Sequence, residues 1–306
     1  MLARRRFLQF SGAAVASALA VPVLARAATA TAAPADAPVR AAIANAADFA
    51  ALEAVSGGRL GVSVLDTGSG RRIAGHRQDE RFPMCSTFKS MLAAHMLSLA
   101  DAGRLSLETR LPVAQKDILS WAPVTRRHAG KDLSVRDLCR GTMVTSDNTA
   151  ANLLLGVIGG PAALTAFLRA QGDAVTRNDR YEPEMNEFTP GNPRDTSSPA
   201  AMAASLARFA VGTGLSKAAR LQYADWLIDN ETGDNCLRAG LGKRWRVGDK
   251  TGSNGEDTRN DIAVLWPVDG GTPWVVTAYL QGAKVDDGQR DAVIARVGAL
   301  ADALIR

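Results

Sequence analysis

Four short stretches of the chain carry side chains that could act on an amide: Ser86-Thr87-Phe88-Lys89, Ser146-Asp147-Asn148, Glu182-Pro183-Glu184-Met185-Asn186 and Lys250-Thr251-Gly252. In the first, a hydroxyl and an amine stand three residues apart, which on a helix puts them on one face. Serine is a weak nucleophile until a base takes its proton. A partly desolvated lysine serves as that base if neighbouring positive potential lowers its pKa, and a helix N-terminus supplies such potential. In the second stretch, Ser146 at the mouth of a helix can relay a proton to a departing nitrogen, while the Asn148 carboxamide can hold a substrate amide. The blander reading is a helix N-cap, which suits both Ser and Asp. In the third, Glu182 and Asn186 can hold a water between them, with Glu182 as the base; a solvated acidic loop has the same composition. In the fourth, a lysine and a hydroxyl stand beside a glycine that admits a ligand to the backbone, a combination suited to a carboxylate. Taken alone it is also an ordinary strand end before a turn. None of the four is specific by itself; Ser-x-x-Lys arises by chance roughly once in a chain of this length.

The surrounding periodicity predicts what must position these groups. Residues 43–55 read as a helix with an apolar stripe. Leu60, Val62 and Val64 alternate with Gly61 and Ser63 as in a half-buried strand, followed by a turn over 66–70 and a returning strand over 71–74. Helical spacing then dominates, over 87–100 (ended by Gly103), 134–143, 148–158, 161–170, 198–210 and 217–228. Between the fourth and fifth of these, residues 177–193 show no period and are rich in Asn, Asp, Glu and Pro; so long a loop in a compact region is functional or disordered. Strands return over 244–249, 261–266 and 274–280, and a last helix runs to Ile305. Strands at both ends with helices between predict an α+β fold, an antiparallel sheet flanked by helices with an inserted all-helical lobe. The expected division is 41–76 with 229–306 as the α/β lobe and 77–228 as the helical lobe, with a site in the cleft between them.

Bulk properties narrow the function classes. The 306 residues are 46% hydrophobic and 22% charged, ordinary for a globular protein with one large domain or two interlocked ones. Residues 1–27 read as an export signal: Arg4, Arg5 and Arg6, then Phe7 and Leu8, a modestly apolar run to Leu24, and Ala25-Arg26-Ala27 fitting an A-x-A cleavage site. The Arg-Arg-x-Phe-Leu order resembles a twin-arginine signal, with Ala3 and Gln9 departing from the usual flanks; a Sec signal is the alternative. The run is too short, and too broken by Gly12, Ser17 and Pro22, for a membrane anchor. A Pro- and Ala-rich linker follows over 28–40, and a periplasmic location is expected. Removing the leader's four arginines from the 36 basic residues leaves 32 against 31 acids, so a nucleic-acid partner has no electrostatic support. Cys85, Cys139 and Cys236 cannot all pair and read as small buried hydrophobes. His76, His95 and His128 are scattered, so neither a metal nor another cofactor is expected. A monomer is the default.

Taken together and in this order, the four stretches resemble the motif set of the class A serine β-lactamases: Ser-x-x-Lys, Ser-Asp-Asn, Glu-x-x-x-Asn and Lys-Thr-Gly. The resemblance covers essentially the whole mature chain and includes Cys85 before the serine and Val247-Gly248-Asp249 before Lys250. It implies hydrolysis of the β-lactam amide of penicillins and cephalosporins through an acyl-enzyme on Ser86, conferring resistance. Lys89, or Glu182 through a water, would take the Ser86 proton. The backbone N–H groups of Ser86 and Ser253 would hold the oxyanion, and Ser146 would pass a proton to the lactam nitrogen. Glu182 and Asn186 would hold the catalytic water for deacylation. Lys250, Thr251 and Ser253, flanking Gly252 and assisted by Arg259, would bind the substrate carboxylate, and Asn148 the side-chain amide. The resemblance also implies Trp121 at the cleft entrance, an Arg180–Asp195 ion pair closing the loop that carries Glu182, and a cis Glu182–Pro183 bond. Asn254 stands where some carbapenem-hydrolysing relatives carry a cysteine that bridges to the position of Cys85, and Ala93 where a partner of Cys139 would be, so no disulfide is expected. A penicillin-binding DD-peptidase and a non-catalytic β-lactam sensor domain are the alternatives. Both would lack the Glu182–Asn186 pair, and the sensor would be joined to a membrane segment.

Overall fold

The computed structural model describes residues 47–305. The expected leader at 1–27, the linker at 28–40 and the start of the first helix lie outside the described residues. Helix α1 covers 47–56. Strands β1 (Arg59–Asp66), β2 (Arg72–His76) and the two-residue β3 (Phe82–Pro83) follow, then helix α2 (Phe88–Asp101). Strands β4 (Arg110–Val113) and β5 (Lys131–Ser134) precede helices α3 (Val135–Val144), α4 (Asn148–Ile158) and α5 (Pro161–Ala170). After the aperiodic segment come β6 (Thr196–Ser197), α6 (Pro199–Ala210), α7 (Lys217–Ile228) and the single turn α8 (Leu237–Gly240). Strands β7 (Trp245–Ser253), β8 (Arg259–Pro267) and β9 (Trp274–Gln281), then α9 (Asp287–Leu304), complete the order.

Helix boundaries follow capping chemistry. Ser134, Ser198 and Ser216 each accept a backbone N–H at the start of α3, α6 and α7, and Asp286 with Gln289 forms a capping box on α9. Pro161 and Pro199 occupy first turns, where no N–H is required. Gly159 closes α4 in the left-handed region, which costs a residue without Cβ nothing.

The main sheet has the order β2-β1-β9-β8-β7, antiparallel throughout. β1 pairs with β9 along its whole length, from Arg59 opposite Gln281 to Asp66 opposite Trp274, so the two ends of the chain build one sheet. Contrary to the half-buried expectation, β1 is buried on both faces. Val62 and Val64 pack on one side with Phe49 of α1 and Ile294 and Val297 of α9. On the other, a Cβ at Gly61 would lie 2.5 Å from the Phe82 ring and 2.8 Å from Pro199, so small residues there let α6 lie close. A small residue facing a helix looks, by sequence alone, like a residue facing water.

The segment between β2 and α8 is helical in bulk. Two short ladders, β3–β6 and β4–β5, are additions to the all-helical expectation. β7 extends through Ser253, so Lys250-Thr251-Gly252 lies within a strand, where a strand ending at 249 was expected. Its position at the sheet edge, beside α7 and the turn that starts at Cys85, supplies partners that residue propensity does not report.

The turn α8 packs onto α9 through two glycines: a Cβ at Gly240 would fall 1.8 Å from the Ala295 carbonyl, and one at Gly298 would fall 2.4 Å from the Leu237 carbonyl. Alanine at 298 would favour an isolated helix by about 1 kcal/mol, whereas overpacking against rigid backbone costs about 1–3 kcal/mol. Gly298→Ala is therefore expected to lower the urea midpoint of unfolding with KM unchanged. A raised midpoint would show that this contact yields freely.

Candidate active site

Ser86 sits in the 3₁₀ turn Cys85–Thr87 that leads into α2. Cys85 adopts a φ of 44°, rarely taken by a residue with a side chain. The turn is held from three directions. The Met84 carbonyl accepts the Thr87 N–H at 3.2 Å and the Thr87 hydroxyl at 2.9 Å. Asn260 of β8 donates its amide to the carbonyls of Met84 (3.1 Å) and Pro83 (2.8 Å). β7 lies so close that a Cβ at Gly252 would meet the Met84 oxygen at 2.7 Å and the Ser86 nitrogen at 3.2 Å. The sequence suggested that this glycine admits a ligand; what its missing Cβ admits is the serine-bearing turn itself.

Lys89, one turn further on, is fully buried. Its amine donates to Ser86 Oγ at 2.9 Å, to the Ser146 carbonyl at 2.8 Å and Oγ at 3.3 Å, and to Asn148 Oδ1. Burial pushes its pKa below the usual lysine value, and the carboxylate of Glu182 opposes that shift. Desolvation, rather than the positive potential expected from the sequence, is the first cause.

Glu182 is buried, with Oε1 3.1 Å from Lys89 Nζ and 3.5 Å from Ser86 Oγ. Its other oxygen accepts from Asn186 Nδ2 at 2.6 Å. Glu184 and Glu187 face solvent, so the acidic-loop reading holds for them and fails for Glu182. Asn152 of α4 clamps the Glu182 backbone from both sides, accepting its N–H at 2.9 Å and donating to its carbonyl at 2.8 Å. Sequence reading missed Asn152, although it lies four residues after Asn148 and hence on the same helix face. Further along, Arg180 Nε donates to Asp195 Oδ2 at 2.6 Å, and Asp195 Oδ1 accepts the N–H groups of Asp179 (2.7 Å) and Arg180 (3.0 Å). The Glu182–Pro183 bond is cis. The aperiodic segment is thus tied at its neck and at Glu182.

In the Ser-Asp-Asn stretch the two sequence readings divide between neighbours. Asp147 is the N-cap of α4: it accepts from the Ala150 N–H at 2.8 Å, and its other oxygen takes the N–H groups of Val124 (2.9 Å) and Thr125 (2.8 Å). With Asp147 satisfying the helix, Ser146 takes a strained φ of 59° and turns its hydroxyl inward. Asn148 gives its oxygen to Lys89, so both of its amide hydrogens remain for the cleft. Trp121, 56% exposed, lines the cleft with its indole N–H on the Thr145 carbonyl at 3.0 Å.

Lys250 is fully buried and donates to Ser146 Oγ at 3.2 Å. Burial, followed by the nearby Lys89 ammonium, lowers its pKa to about 7. Thr251 Oγ1 lies 2.5 Å from Thr232 Oγ1. Ser253 Oγ accepts the Gly255 N–H at 2.9 Å, which leaves its own hydrogen to donate. Arg259 opens β8, where Asp291 holds its Nε at 2.5 Å. Sequence reading also missed Asn230, Thr232, Asn260 and Asp291, all of which act on positions distant in the chain. Cys85, Cys139 and Cys236 are buried and free.

A cleft of about 760 Å³ is lined by Ser86, Ser146, Asn148, Asn186, Thr251, Gly252, Ser253 and Arg259 among others. Lys89, Glu182 and Lys250 stand buried behind them.

Fold and site together define a class: an α+β fold whose cleft sets a serine hydroxyl against a buried lysine and a loop-held carboxylate. The profile of the "Beta-lactamase enzyme family" matches residues 42–304. The chain is 69% identical over 305 residues to Beta-lactamase L2 of Stenotrophomonas maltophilia, covering 100% of both chains. A crystal structure of L2 complexed with relebactam matches with a TM-score of 0.83 at 69% identity, over 88% of this chain and 100% of that one. A β-lactamase from Xanthomonas campestris pv. campestris matches with a TM-score of 0.83 at 54% identity, over 85% and 97% of the two chains. The chain belongs to the beta-lactamase enzyme family, class A.

The lowered pKa of Lys250 has a sign that can be checked. The ammonium is charged below about 7 and neutral above it, so the cleft loses attraction for anions as pH rises. For a carboxylate-bearing substrate, kcat/KM is expected to fall above about pH 7, by about tenfold per unit at most. Lys250→Arg, charged at every accessible pH, should remove that limb. A flat profile for the unsubstituted enzyme would show that Lys250 keeps its proton.

Proposed function

We propose that the enzyme opens the β-lactam ring of penicillins and cephalosporins through an acyl-enzyme on Ser86 and thereby confers resistance to them. The observation that carries this reading is the contact of Ser86 Oγ with both Lys89 Nζ (2.9 Å) and Glu182 Oε1 (3.5 Å), with Asn186 on the other Glu182 oxygen. Lys89 or Glu182, the latter through a water, takes the Ser86 proton as the oxygen attacks the lactam carbonyl. The backbone N–H groups of Ser86 and Ser253 hold the oxyanion, two donors fixed before charge develops. Ser146 protonates the departing nitrogen. A water held by Glu182 and Asn186 then attacks the ester, with Glu182 as base. Lys250, Thr251, Ser253 and Arg259 bind the substrate carboxylate beside Gly252, and Asn148 binds the side-chain amide.

The pairing of buried Glu182 with Asn186 supports turnover over the single acylation expected of a DD-peptidase or a sensor domain. The same proposal covers the division into an α/β lobe (41–76 with 229–306) and a helical lobe (77–228), a monomeric state, and export to the periplasm by the twin-arginine or Sec route. Export is supported by Arg4, Arg5, Phe7 and Leu8 ahead of Ala25-Arg26-Ala27.

Incubation with a chromogenic cephalosporin should give many turnovers per molecule; one stoichiometric burst followed by silence would favour the alternatives. In Glu182→Gln, acyl-enzyme is expected to accumulate at Ser86 and appear as a mass increase on the intact protein. Normal turnover by that variant would remove Glu182 from the role of deacylating base.

A further inference from the structure

One wall of the cleft contains a chain of polar groups of which these roles use only the last member, Thr251. It begins at the Asp249 carboxylate, buried behind Lys250, which accepts from Arg238 Nε at 2.7 Å and from Asn230 Nδ2 at 2.6 Å. The Asn230 amide cannot be turned round, because its oxygen also accepts the Thr232 backbone N–H at 3.2 Å, a group that only donates. That oxygen lies 2.8 Å from Thr232 Oγ1, and Thr232 Oγ1 lies 2.5 Å from Thr251 Oγ1. Two hydroxyls ending on a fixed acceptor have one favourable order of protons. Thr232 donates to Asn230, and Thr251 donates to Thr232. The reverse order would set oxygen lone pairs of Thr232 and Asn230 against each other with no hydrogen between them.

This order has a consequence for an empty cleft: the Thr251 hydrogen points into the wall, away from the space where a substrate carboxylate would sit. An arriving anion must draw that hydrogen outward, and the emptied position on Thr251 Oγ1 then needs a donor. Thr232 is within reach.

We propose that Thr232 is a positioning residue for carboxylate recognition, holding the Thr251 hydroxyl in one rotamer and turning its own hydrogen onto Thr251 Oγ1 when a substrate carboxylate takes the Thr251 hydrogen. Both hydroxyls rotate, and no covalent bond forms or breaks. In the bound order the donors run from Thr232 to Thr251 to the anion, a direction in which each bond polarises the next. This order gives up the neutral Thr232-to-Asn230 O–H bond in exchange for the stronger charge-assisted bond to the anion, while Asn230 Oδ1 keeps the Thr232 N–H. Arg259 reaches Thr232 only through its backbone carbonyl, at 3.4 Å, so a side-chain change at 232 leaves that contact in place. The inference rests on the β-lactam-hydrolysing reading of the same cleft.

The test compares Thr232→Val, Thr232→Ala and Thr232→Ser with the unsubstituted enzyme, on a cephalosporin bearing a free carboxylate and on its methyl ester. Val and Ala delete the same hydroxyl with different bulk, so a packing defect in one does not decide the outcome. Both should raise KM for the free acid by about two- to tenfold, the worth of one neutral hydrogen bond, with kcat little changed. KM for the ester should stay where it is, and Ser should restore the free-acid value. An equal rise for acid and ester, no rise for the acid, or a Ser variant as impaired as Val would overturn the assignment. Failure of the underlying hydrolytic reading is distinguishable, since it would appear as absence of multiple turnover in the unsubstituted enzyme.

Discussion

The structure turns on one buried amine. Lys89 is out of contact with water, yet its amine reaches Ser86, Ser146, Asn148 and Glu182, residues from the α2 turn, the start of α4 and the long loop. A cation in such a place is costly unless an opposite charge and well-aimed acceptors surround it, and removing one partner from a buried pair typically costs about 3–5 kcal/mol. The three segments are therefore not independent supports of a finished site. Each satisfies the lysine that the others have taken out of water. Loss of the Glu182 carboxylate would leave Lys89 underpaired, which is why Asn152 fixes the Glu182 backbone through both its N–H and its carbonyl.

The second buried amine gives the site its direction. Ser146 Oγ receives Lys89 Nζ at 3.3 Å and Lys250 Nζ at 3.2 Å. A hydroxyl oxygen has two lone pairs, and an amine N–H engages each, so its own hydrogen is left to point elsewhere. The open direction is the cleft. Lys89 is also among the causes that weaken the Lys250 ammonium. Asp249 and Asp261, both buried, carry pKa values pushed upward by burial, with Arg238 opposing the shift at both and Arg259 at Asp261. Charges of both signs are packed under one face of β7, and the sheet holds them at fixed spacing.

What was legible in the sequence follows from where each residue's partner lies. The bounds of α4, α5 and α7 were readable because Asp147, Gly159, Pro161 and Ser216 act on neighbours a few residues away. The burial of β1 on both faces was not, since Gly61 owes its size to Phe82 and to Pro199 of α6, partners the local pattern does not contain. The end of β7 was misjudged for the same reason: charged and small residues at 250–252 pair with β8 and pack on the α2 turn. The motif residues stood out because hydroxyl, amine and carboxylate are reactive types. Asn152, Asn230, Thr232, Asn260 and Asp291 did not, because an amide, a hydroxyl or a surface-type acid becomes informative only once its acceptor is known.

Ser146 and its neighbour Asp147 must be different types. The Ser146 φ of 59° is unfavourable for a side-chain-bearing residue, by about 1–3 kcal/mol. Glycine would relieve the strain and remove the hydroxyl that both amines reach, so the strain persists with those contacts. Asp147 offsets it: three backbone N–H groups and the Thr125 hydroxyl converge on its carboxylate, tying the start of α4 to the 121–125 segment. A serine in that place could accept fewer of those donors, and an asparagine would set an amide against them. The carboxylate therefore belongs in the middle of the triplet for a structural reason, and it fixes the strained turn firmly enough for the residues on either side to face two buried amines.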